Sequence, residues 1–144
     1  MTQLSIRWIG LDTLQVGFNR FVKSVPEITR ERNREAMRRA KKRSVSDPPG
    51  GAYSVPERGY VRTMNLSAST YLEEDGLSVR IVSNAMRDGR PYSGYVIGDA
   101  EGYGQAGIHQ GYWTTLRDAV DDEVEELVKD IDEKLSESAE ALGL

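Results

Sequence analysis

A single histidine, no cysteine and one glycine-rich stretch limit the chemistry open to this chain of 144 residues. Imidazole titrates near neutrality, so His109 could act alone as a general base. One histidine excludes a multi-histidine metal site, and without cysteine there is no disulfide, thiolate metal site or thiol nucleophile. The plainer role for His109 is a loop residue hydrogen-bonded to backbone beside Tyr112 and Trp113. Gly102-Tyr103-Gly104-Gln105-Ala106-Gly107 matches G-x-G-x-x-G, the pattern that lets backbone approach a pyrophosphate at a helix N-terminus. That chemistry also needs a strand after the helix, ending in an acid, and here the helix runs almost to the last residue. Asp118, Asp121, Asp122 and Glu123 in its first turns would repel a pyrophosphate as well. Asp121 with Glu125, and Asp122 with Glu126, are spaced i, i+4 and could hold a divalent cation, but such pairs more often line a solvated helix face. We therefore expect no cofactor, no metal and no enzymatic activity.

The elements that would position these groups are legible from apolar spacing. Leu4 to Ile9 reads as a short strand. Leu11, Leu14, Phe18, Phe21 and Val25 recur at helical steps, with Asp12 placed to cap the first turn and Gly17 weakening the middle. Pro26 suits the start of a second helix reaching about Val45, with Ile28, Met37 and Ala40 on a thin apolar face. Asp47 to Gly59 holds three prolines and three glycines, a loop composition. Strands are expected at Asn65–Leu72, Leu77–Asn84 and Tyr92–Ile97, with Glu74-Asp75-Gly76 as the first turn. Leu116, Val120, Val124, Leu127, Ile131 and Leu135 mark a long amphipathic helix, and Thr115 with Asp118 resembles a capping box. The expectation is one α+β domain, 1–144, with long loops at 46–62 and 98–112. Its small, mainly antiparallel sheet of about four strands is packed by N-terminal helices and one long C-terminal helix. The first residues hold no long apolar run and carry Arg7, so neither a signal peptide nor a membrane span is expected there.

Charge divides the chain in two. Glu27–Val45 carries eight basic residues against three acids, and Arg117–Glu140 carries eleven acids against three basic residues. The total is only −4. Such segregation points to a charged partner or a self-complementary contact. The basic run could meet phosphates, but a pI of about 5.1 and the absence of interleaved aromatics argue against a dedicated nucleic-acid binder. Contact with another subunit or protein is the stronger reading. Arg32, Arg34, Arg38, Arg39, Lys41, Lys42 and Arg43 are its candidate residues, with Tyr53, Tyr103, His109, Tyr112 and Trp113 from the loops.

The order of elements adds a family resemblance. "GLDTL" (Gly10 to Leu14) leads to "RRAKKRS" (Arg38 to Ser44), a proline loop, "GYVRTMNLSAS" (Gly59 to Ser69), "VRIVSN" (Val79 to Asn84) and "PYSGYVIGD" (Pro91 to Asp99). This resembles the tail-completion or neck proteins at the head–tail junction of long-tailed bacteriophages. Members share a "GLDEL"-like start, a "TGxLRxS"-like segment and a "YAxYVExG"-like strand. Arg62 to Ser67 stands where the second would fall, with glycine and arginine displaced; Tyr92 to Gly98 matches the third, with Ile97 in place of the acid. The resemblance implies a non-enzymatic virion protein made in the host cytoplasm. It would form a homo-oligomeric ring, a hexamer being one size, between head-connector and tail-terminator or tail-tube proteins. Asp118, Asp121, Asp122, Glu125 and Glu126 would then suit a channel face that lets DNA pass without binding it. The alternative is a small nucleic-acid-binding or regulatory protein that uses the basic helix 30–43.

Overall fold

The computed structural model describes residues 10–46, 65–99, 104–107, 109–110 and 113–144. It is an α+β structure whose frame is a pair of long antiparallel helices, α1 (Leu11–Lys41) and α4 (Leu116–Ala141). Between them in sequence come α2 (Asn65–Ala68), β1 (Thr70–Asp75), β2 (Ser78–Ser83), β3 (Met86–Arg87), β4 (Arg90–Pro91) and α3 (Ser93–Ile97). The four strands form two separate antiparallel hairpins, β1–β2 and β3–β4, in place of one sheet. The expected strand at Leu4–Ile9 and most of the loop at 46–62 lie outside the described residues.

Three local expectations change. Pro26 does not divide two helices: α1 runs through it for 31 residues and passes into a π-helical turn at Lys42–Ser46. An internal proline removes one helical hydrogen bond, and the contacts α1 makes with α4 on both sides of Pro26 hold the helix together. Asn65–Ala68 is a helical turn, with the strand beginning only at Thr70. Side chains fix that turn: the Thr70 hydroxyl donates to the Leu66 carbonyl at 2.6 Å, and the Ser69 hydroxyl to Asn65 Oδ1 at 3.0 Å. Tyr92–Ile97, expected as a strand, contains α3 instead. Val96 and Ile97 are both buried, which a strand with alternating faces would not allow. Gly98, at φ 74°, ends the helix by donating to the Gly94 carbonyl.

The remaining elements follow their sequence signals. In α4 the Thr115 hydroxyl accepts the Asp118 N–H at 3.0 Å, the expected cap. In α1 Gly10 occupies the N-cap with no side-chain bond, so Asp12 acts only as a first-turn acid at the positive helix end. The β1–β2 register pairs Thr70 with Ser83 and Asp75 with Ser78 around a turn at Gly76 and Leu77. In β2, Val79, Ile81 and Val82 are half-buried while Ser78 and Arg80 stay exposed. A small core gathers Val45, Leu66, Ala85, Val96, Ile97 and Trp113 at one end of the helix pair.

Gly17 has a role that propensity alone does not reveal. A Cβ there would meet the Leu142 carbonyl oxygen at 3.0 Å. The missing side chain lets the end of α4 close onto the start of α1. Further along, the hydroxyls of Ser24 and Ser138 lie 3.2 Å apart, so small residues line the helix contact.

Candidate functional site

The basic run and the acidic helix meet inside the chain through two arginines. Glu123 lies on the inner face of α4 and is completely buried. Arg39 Nε donates to its Oε2 at 2.5 Å, and Arg43 approaches Oε1 at 3.2 Å. Arg39 also reaches Asp130 at 3.5 Å, and Arg43 reaches Asp122 at 3.3 Å. The Glu123 hydrogen bond raises the Arg39 guanidinium above its ordinary range against the opposing effect of burial. Two arginines and one buried carboxylate thus bind α1 to α4.

Other basic candidates are engaged elsewhere. Arg34 grips Glu74 of β1 with two bonds, at 2.6 and 2.7 Å, the forked geometry that suits guanidinium and carboxylate. That hydrogen bond holds the Glu74 carboxyl below the usual carboxylate range. Arg30 and Asn33 donate to the backbone carbonyls of Gly76 and Leu77, so the β1–β2 hairpin is fastened along the second half of α1. Arg32 pairs with Glu35 at 2.8 Å and with Glu31 at 3.7 Å on its own helix. Arg38 is exposed and Lys41 half-buried, and neither makes an ion pair among the described residues; Lys42 is exposed and engaged.

His109 and Trp113 belong to the interior rather than to a surface. His109 is 6% exposed and Trp113 is part of the core cluster. The Trp113 N–H donates to the His109 carbonyl at 3.1 Å, and the His109 N–H donates to the Ala106 carbonyl at 2.8 Å. Gln105 ties the segment down by donating to the carbonyls of Val96 and Trp113 at 2.8 and 3.0 Å. Burial pushes the His109 imidazole below its ordinary value of 6.5, so it is held neutral. Tyr53, Tyr103 and Tyr112 lie outside the described residues, as does Gly102 at the start of the glycine pattern.

The acidic candidates of α4 point outward. Asp118, Asp121, Asp122, Glu125 and Glu126 are all exposed. Asp121 is paired with Arg117 at 2.7 Å and Asp122 with Arg43. Among the described residues no group of three or more His, Asp or Glu side chains could hold a metal ion. No helix among them is long and apolar enough to cross a membrane.

The surface that charge reasoning missed is apolar. Leu11, Leu14, Phe18 and Val22 follow one another at steps of three and four along α1, and each is between 51% and 57% exposed. The same helical line continues through Asn33, Ala36 and Ala40. There the side chains are small, and the two alanines are fully buried. One ridge is therefore covered along its second half and bare along its first. On α4, Val124 and Val128 are 44% and 64% exposed. A contiguous exposed apolar surface of this kind, where it exceeds roughly a few hundred Å², usually marks a contact site. Compared with known family models, curated proteins and solved structures, the chain matches none of them.

Proposed function

We propose that this protein is a non-enzymatic assembly subunit: a tail-completion or neck protein of a long-tailed bacteriophage, joining head connector to tail as a homo-oligomeric ring. The observation that carries the assembly part is the bare ridge Leu11–Leu14–Phe18–Val22 on a helix whose continuation is covered. Large apolar side chains held half in water cost free energy that a neighbouring protein surface would recover. The setting, a virion at the head–tail junction, comes from the order of sequence elements. In such a ring, outward acids such as Asp118 and Asp121 would repel DNA phosphates wherever they faced the channel.

Two measurements test this. Light scattering on the purified protein should give a closed oligomer, and a tagged copy should be found at the head–tail junction of assembled particles. A monomer at high concentration that is absent from particles would defeat the proposal. The nucleic-acid alternative keeps Arg38 and Lys41, whose charges meet no ion-pair partner among the described residues. It would gain from a monomer whose DNA affinity falls steeply with added salt. Its weakness is that Arg32, Arg34, Arg39 and Arg43 already have carboxylate partners.

A further inference from the structure

We infer that the β3–β4 hairpin is a docking finger for an acidic protein segment, whose carboxylates bridge Arg87 and Arg90. No residue of the apolar ridge takes part, so this surface stands apart from the assembly reading above. Every residue from Met86 to Pro91 is exposed, yet both feet of the hairpin are set in the core. Ala85 before it is buried, and the Tyr92 N–H after it donates to the Ala85 carbonyl at 3.2 Å. Asn65 holds the first strand by donating to the Met86 carbonyl at 3.2 Å. The turn is equally fixed. Asp88 and Gly89 have φ of 51° and 74°, the paired left-handed backbone of a type I′ turn, for which Asp-Gly is a favoured sequence. A Cβ on Gly89 would meet nothing within 4 Å, so the glycine serves the backbone and not packing.

That turn sets Arg87 directly opposite Arg90, and the Cβ atoms of such a pair lie about 5 Å apart on one face. Like charges so placed weaken a hairpin. Little within the chain offsets them. Asp88 reaches Arg87 only at 4.0 Å and is itself 94% exposed, and Arg90 makes no ion pair among the described residues. A carboxylate between the two guanidinia answers both, and the fixed backbone leaves only side chains to order on binding. The opposite face of the finger carries Met86, 50% exposed, against Pro91. A protein segment has carboxylates for one face and aliphatic groups for the other. Duplex DNA answers only the first, and two cations are few for a phosphate surface on a chain of pI about 5.1.

The test is an NMR titration of the full-length, isotope-labelled protein with an octaglutamate peptide at low salt. Saturable shifts should centre on Met86–Pro91 and exceed those at Arg20, Lys23 and Arg38, whose exposed charges lie on α1. Equal shifts in both places would mean unselective charge attraction and overturn the inference. Arg87→Gln and Arg90→Gln change exposed side chains and should each weaken binding about fivefold, the upper worth of an exposed ion pair. Gly89→Val keeps both arginines but strains the turn at φ 74°, and it should weaken binding by a similar factor. Unchanged binding in that variant would overturn the aligned pair, because loose charges would then suffice. A short DNA duplex that shifts the finger at lower concentration than the peptide would overturn the protein partner in favour of phosphate. None of these outcomes depends on the oligomeric state, so the assembly reading stands or falls separately.

Discussion

His109 is the residue whose chemistry the fold decides most clearly. A general base must reach a substrate, and this imidazole is buried beside the core with its backbone tied at both ends. Burial favours the neutral ring, so its value in the folded protein lies below the 6.5 of an exposed histidine. The unfolded chain therefore binds a proton more readily than the folded one. The stability His109 contributes is fully present above pH 6.5 and is lost as pH falls from there through its lowered folded value. Denaturant unfolding at pH 7.5 and pH 5.5 should show the wild type weakening between the two, and His109→Gln should flatten that slope. Glu74, held low by its hydrogen bond to Arg34, contributes stability that is present above its ordinary 4.5 and is lost as pH falls from there.

At the scale of elements, the structure turns on how α1 meets α4. Glu123 is fully buried, whereas the side chains of Arg39 and Arg43 remain 37% and 47% exposed. That asymmetry predicts unequal costs. Replacing both arginines by methionine strands a buried carboxylate and should cost about 3–5 kcal/mol. Glu123→Gln leaves two guanidinia that water can still reach and should cost about 1–2 kcal/mol. Urea unfolding of the two variants reads the difference directly, and equal costs would refute the burial argument. Much of this element-level design was legible in the sequence. The period of α4, its Thr115 cap and the opposite charges of the two helices are all local patterns. What was not legible is the register that joins them, because Arg39 and Glu123 are 84 residues apart and spacing within one helix says nothing about its partner. Tyr92–Ile97 misled for a different reason. Tyrosine, valine and isoleucine favour strands, and only tertiary packing of Val96 and Ile97 together on one core decides for a helical turn. The bare ridge was half visible: apolar periodicity marks a face that must be covered, but reads the same whether the cover comes from the same chain or another.

For the whole molecule, assembly and stability should be coupled. A subunit that covers its ridge only with a neighbour gains stability by mass action, so its melting temperature should rise with protein concentration. Scanning calorimetry over a hundredfold concentration range checks this, and an invariant midpoint would show that the ridge needs no cover. The hydroxyl contact between Ser24 and Ser138, which spans 114 residues, carries a further consequence in time. A ribosome adding about 5–20 residues per second finishes Ser24 roughly 5–25 s before Ser138 exists. For most of that interval α1 lacks Glu123 to hold Arg39, and throughout it lacks the tail of α4 to sit over Gly17. The helix pair can therefore close only when nearly the whole chain has been made, and α1 must wait for its partner with its inner face uncovered.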